Sequence, residues 1–171
     1  MEITQMESVK HCVGDVQQQF GKIHTVIYAS GPDIPLQYVN RINEETWRYV
    51  MDVDVNGFFH VINATLPVFR NQGGGTYVAV VTTAVKRFPV RDALSAVPKA
   101  AVEMLVRSVA REEGRYGIRA NSVASGLIDA GLGSRMIGEQ FNSQSIERMI
   151  QDTPLKRIGK AEEVAEAVVF L

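Results

Sequence analysis

A chain of 171 residues, 46% of them hydrophobic and 22% charged, is long enough for one domain with a real core. Its formal net charge of -1 gives no electrostatic hold on nucleic acid or an anionic membrane, and the lone Cys12 excludes an internal disulfide framework. No apolar run approaches the roughly 20 residues that cross a bilayer, and MEITQMESVK has no signal-peptide pattern, so a cytoplasmic protein is expected.

Thr4 and Glu7 have the spacing of a capping box ahead of Val9, Val13, Val16 and Phe20, which predicts an amphipathic helix over 5–20 ending at Gly21. TVIYA (25–29) is a short, mostly β-branched run that stops at Ser30-Gly31-Pro32 and reads as a buried strand. Asn43 can cap a second helix carrying Trp47, Val50 and Met51, and a further helical run holds Phe58, Ile62 and Leu66 before Gly73-Gly74-Gly75. Tyr77–Val81 is the second predicted strand. The helix after it runs over 100–113, with Ser95 and Lys99 where it should begin, and Ile118–Ala124 is the third strand. Residues 130–152 are polar and weakly periodic, as expected of a mobile helical flap over a substrate. A last helix has Glu162 and Glu163 at its N-terminus and buries Val164, Ala167, Val168 and Leu171.

The order α-β-α-α-β-α-β-flap-α argues for a single domain with a parallel sheet covered by helices. Three strands are few for such a sheet, so the sequence reads as part of something longer. All three strands end in small or hydroxylic residues: Ala29-Ser30-Gly31, Thr82-Thr83-Ala84 and Ser125-Gly126. Small residues there let a ligand approach the backbone, and hydroxyls can bond it, although turns after strands are rich in such residues anyway.

With these stretches in order, the chain resembles the short-chain dehydrogenase/reductase family over nearly its whole length. FGKIHTVIYASG resembles the strand leading into the family's Asn-Asn-Ala-Gly, VMDVDVNGFF the segment with its helix asparagine, and GGGTYVAVVTT the strand ending in its catalytic serine. REEGRYGIRANSVASGLID and PLKRIGKAEEVAEAVVFL resemble its late strand, Pro-Gly turn and closing helix. The resemblance implies a Rossmann-type three-layer α/β/α domain with strands equivalent to the family's fourth to sixth, the first three and the last being absent from this sequence. No G-x-G-x-x-G segment occurs, and Gly73-Gly74-Gly75 precedes a strand, so the Gly-rich pyrophosphate loop is absent too.

Family members interconvert a carbonyl and an alcohol with Ser, Tyr, Lys and a helix Asn. The resemblance places Lys99 at the lysine, Asn56 at the asparagine and Thr82, 13 positions before Ser95, at the serine. Ser95 stands where the tyrosine should be. A phenol starts near a pKa of about 10 and can be tuned by a cation, whereas an aliphatic hydroxyl does not titrate usefully and is several ångströms shorter. Cofactor positions implied by the resemblance are Ala29, Ser30, Gly31, Lys99, Ser125, Gly126 and Ile128. Ala130 replaces the family's cofactor-binding threonine, and Ser125-Gly126 replaces its Pro-Gly. Tyr28 and Asp92, the other groups that could carry a proton, read as strand packing and loop solvation. A Ser95–Lys99 nucleophilic dyad has no oxyanion-hole signature beside it.

The implied function is an NAD- or NADP-dependent oxidoreductase of small-molecule carbonyls, impaired at Ser95 and by the absent loop, so that the cofactor need not bind. The alternatives are a non-catalytic or truncated member with a structural or oligomer-forming role, and an isomerase or lyase in a repurposed pocket. Helices near 54–70 and 96–113 would pair subunits in a homodimer or homotetramer. No metal is expected, since His11, His24 and His60 lack ligand spacing.

Overall fold

In the computed structural model, which describes residues 1–171, the elements follow the apolar patterns in order. Helix α1 (Met6–Phe20) leads into strand β1 (Thr25–Tyr28), then α2 (Glu44–Met51) and α3 (Gly57–Gln72), β2 (Gly75–Thr82), α4 (Ala93–Glu113) and β3 (Ile118–Ser125). Helices α5 (Leu132–Gln140), α6 (Ser143–Asp152) and α7 (Ala161–Phe170) complete the chain, so residues 130–152 do form helices. The three strands are parallel in the order β1-β2-β3, an α/β arrangement as expected. No helix is long and apolar enough to cross a membrane.

The local signals mostly act where the residues suggest. Gly21, at φ 76°, returns its amide to the Gln17 carbonyl at 2.8 Å and stops α1. Asn43 Oδ1 accepts the Thr46 amide at 2.7 Å and caps α2. The Thr4–Glu7 capping box does not form. Glu2 takes Thr4 instead, accepting its amide at 3.2 Å and its hydroxyl at 2.8 Å, and α1 begins after Gln5 without a side-chain cap.

Parallel pairing puts register partners on the same face. Val26 and Tyr28 align with Tyr77 and Ala79, and with Val81 they build the core against Phe58, Ile62 and Phe69 of α3 and Val102, Val106 and Val109 of α4. Tyr77 is 1% exposed, and its hydroxyl shares a 2.6 Å hydrogen bond with Thr65. On the other face, Arg119 of β3 donates to Thr76 Oγ1 and to the Leu171 carbonyl, tying α7 to the sheet, while Ile27 stays 55% exposed.

Gly75 lets β2 begin directly over Phe69, because a Cβ there would lie 2.5 Å from the buried ring. Gly75→Ala should therefore cost about 2 kcal/mol through overpacking, read as a lowered urea midpoint at unchanged slope; an unshifted midpoint would show that the ring can yield.

Helix α4 starts at Ala93, seven residues before the expected start, so Ser95 and Lys99 lie one turn apart on a regular helix. Pro98, a residue that a helix tolerates best in its first turn, then falls in the second. It is fully buried there, and its absent N–H leaves the Leu94 carbonyl without the usual helical donor.

Candidate active-site cleft

A cleft of about 460 Å³ opens where the three strands end. Ala29, Ser30 and Gly31 line it from the end of β1, Thr82 from β2, and Ser125, Gly126 and Ile128 from β3. Asp92, Ser95 and Lys99 enter from the head of α4, with Leu132 and Met136 of α5 and Val164 of α7 closing further sides. Every candidate residue chosen from the sequence lines this one cleft except Asn56. Its amide donates to Asp52 Oδ1 at 2.8 Å on the exposed side of the helix, and it does not join the others.

Asp54 occupies the place that reading gave to Asn56. Residues Asp52–Asn56 form a π turn between α2 and α3, a widened stretch of helix in which Asp54 faces inward. Its carboxylate receives Lys99 Nζ at 2.7 Å, and Lys99 also donates to the Ser30 carbonyl at 2.8 Å. The pair is deep: the Asp54 side chain is 2% exposed and that of Lys99 14%. Burial raises the Asp54 pKa above the ordinary carboxylate range, and Lys99 only partly offsets that.

The Tyr28 hydroxyl donates to the carbonyls of Asp54 (3.0 Å) and Val53 (3.2 Å), oxygens within the π turn. Burial and the Asp54 charge push its pKa far up, so the phenol stays neutral and structural. Lys99 Nζ stands 5.5 Å from the centre of its ring.

The hydroxyls divide by what they already hold. Ser125 Oγ donates to the Val81 carbonyl at 3.2 Å, so its proton is committed to backbone. Thr82 Oγ1 accepts the Ala84 amide at 3.1 Å, which leaves its proton free for a ligand oxygen. The Ser95 hydroxyl has no partner in the chain, whereas its amide donates to the Asp92 carbonyl at 3.1 Å.

Asp92 is not a solvated loop residue. It is half-buried at the start of α4, makes no capping bond, and burial alone raises its carboxyl to about 6. Arg91 beside it takes a positive φ of 76° and sends its guanidinium to the Leu36 carbonyl at 2.7 Å, away from the cleft. Helix α5 is held to the loop after β1 by Arg135–Asp33 at 3.0 Å and by the Gln140 amide on Ile34 and Leu36, each at 2.9 Å. Ile128 is fixed by a bridge to Gly159. No group of three or more His, Cys, Asp or Glu is placed to hold a metal ion.

The sequence carried a signal for Asp54. Val50, Asp54, Gly57, Phe58 and Val61 follow one helical stripe, and all are buried, so a charge at 54 must meet a partner inside. For Asp92 the signal is fainter, an aspartate immediately ahead of the α4 apolar face.

Residues 1–171 match the family model described as enoyl-(acyl carrier protein) reductase. The chain is 28% identical over 169 residues to the acetoacetyl-CoA reductase of Synechocystis sp., covering 99% of this chain and 68% of that protein. It is 26% identical to the peroxisomal 2,4-dienoyl-CoA reductase SPS19 of Saccharomyces cerevisiae, covering all of this chain and 57% of that protein. Among solved structures, an NAD+-bound xylitol dehydrogenase superposes with a TM-score of 0.90 at 26% identity, covering 99% of this chain and 70% of the other. The chain thus spans roughly three-fifths to two-thirds of the length of these curated relatives.

Proposed function

The chain belongs to the short-chain dehydrogenase/reductase family, and we propose on that footing that its cleft takes the nicotinamide end of NAD or NADP and works on a carbonyl/alcohol pair of a small molecule, with Ser95 holding the rate down. The observation that carries this reading is the convergence of Thr82, Ser95 and Lys99 on one cleft at the ends of all three strands. The donor set suits a nicotinamide ribose. Lys99 spends two of its protons on Ser30 and Asp54, and the bare Cα of Gly31 leaves space beside the ammonium, where a Cβ would stand 3.4 Å away. Such a cofactor, when bound, supplies or accepts a hydride.

The chain's own residues do the rest. Thr82 donates its free proton to the carbonyl oxygen and polarises it. Lys99 orients the ribose and brings positive charge to the cleft, a charge that Asp54 largely cancels. Ser95 can hydrogen-bond but cannot act as an acid near neutral pH.

The test is direct. With acetoacetyl-CoA as the carbonyl probe, the chain should consume NADH or NADPH slowly, followed as loss of dihydronicotinamide absorbance. Fluorescence titration should give dissociation constants in the millimolar range, since these 171 residues contain no Gly-rich loop for the pyrophosphate. Micromolar binding would overturn the second expectation. A complete lack of both binding and turnover would favour the other reading, a non-catalytic chain, which the missing phenol at Ser95 supports.

A further inference from the structure

We propose that the Asp92 carboxyl exchanges the proton with the substrate oxygen in this cleft: it stands at the head of α4 one turn before Ser95, lines the same cleft as Thr82 and Lys99, and has no hydrogen-bond partner within the chain. The assignment rests on the oxidoreductase reading and names the group that replaces the absent phenol. An aspartate heading a helix ordinarily accepts an amide from the first turn. Asp92 accepts none, so its carboxyl is free for a ligand.

The charged side chains that line the cleft with it, and the adjacent Arg91, are otherwise engaged. Lys99 is held by Asp54 and Ser30, Asp33 by Arg135, and the Arg91 guanidinium by the Leu36 carbonyl. No cation therefore holds Asp92 in its ionised form, and burial favours the acid. A carboxyl half-protonated at about pH 6 can both give and take a proton near neutrality.

In the reducing direction, the substrate carbonyl carbon receives the hydride that a reduced nicotinamide provides, and the C=O π electrons move to oxygen. That oxygen takes the Asp92 proton. The products are an alcohol, an oxidised nicotinamide and an Asp92 carboxylate, which water re-protonates.

Two measurements decide the matter on the full chain. Carbon-13 carboxyl shifts, assigned by comparison with Asp92→Asn, should show Asp92 titrating near pH 6 without any cofactor present; a midpoint in the ordinary aspartate range near 4 overturns the proposal. With acetoacetyl-CoA and saturating NADPH, the wild-type rate should fall as pH rises through that midpoint. Asp92→Asn should lose roughly 100-fold in rate together with the pH dependence, at unchanged NADPH affinity and an undiminished melting temperature at pH 8. An Asp92→Asn variant that keeps both rate and profile overturns the assignment alone. Absence of wild-type turnover at every pH removes the oxidoreductase reading and the assignment with it.

Discussion

Ser95→Tyr should raise the rate of carbonyl reduction, and in an Asp92→Asn background by roughly 100-fold, the range a well-placed general acid contributes where no other acid serves. The phenol would enter a cleft of about 460 Å³ from the turn of α4 just before Lys99. A neighbouring cation lowers a tyrosine pKa, but here the Lys99 charge is shared with a carboxylate 2.7 Å away. The single substitution should therefore show a more alkaline pH optimum than Ser95→Tyr combined with Asp54→Asn, in which the ammonium keeps its full field. Steady-state rates across pH with acetoacetyl-CoA and NADPH read both effects. Equal optima in the two variants would show that Asp54 does not weaken Lys99 at this distance.

Lys99→Ala should destabilise the chain by about 3 kcal/mol at neutral pH, because it leaves the Asp54 carboxylate buried and unpaired. Asp54→Asn in the same chain should restore most of that loss by removing the charge. The pH dependence has a fixed sign. Burial already raises the folded-state pKa of Asp54, and removing Lys99 takes away the main influence that lowers it. A group whose folded pKa lies above its unfolded value costs stability as pH rises through that range. The deficit of Lys99→Ala should then be largest at neutral pH and shrink in acid, where Asp54 is protonated. Denaturant melts at pH 5 and pH 8 measure it; a deficit independent of pH would mean that Lys99 acts through packing alone.

Much of the fold was legible because single helical and β periods dominate each segment. Val9, Val13 and Val16 marked α1, and the apolar run from Tyr77 to Val81 marked β2 together with its core partners. The convergence of the strand ends was also legible, since a parallel sheet brings those ends to one edge. Two things were not. The early start of α4 was hidden by Pro98, a residue that propensity places at a helix's first turn but that packing holds in the second. The exchange of Asn56 for Asp54 was the other, although the helical stripe shared with Val50, Phe58 and Val61 marks position 54 as inward. What the stripe cannot give is the partner: Lys99 lies on α4, 45 residues further on, and only the tertiary structure sets it against Asp54. Asp92 escaped for a related reason, because loop residues are taken as solvated until the tertiary structure closes over them.

That widened turn has a consequence for length changes in the chain. From Glu44 to Gln72 the backbone is one continuous rod interrupted only by Asp52–Asn56. Dropping a single residue there would let the rod regain an ordinary pitch and would leave α2 and α3 facing nearly as they do now, because a π turn is an α turn that has taken in one extra residue. The Asn43 cap and the α2 apolar face would keep their contacts, and the change would fall on the turn itself, on the carbonyls that hold the Tyr28 hydroxyl and on the carboxylate opposite Lys99. Point substitutions at the solvent-facing positions 52 and 56 should be absorbed, whereas a further residue inserted between them would rotate α2 by about 100° relative to α3, so the fold should bear a one-residue deletion there better than a one-residue insertion.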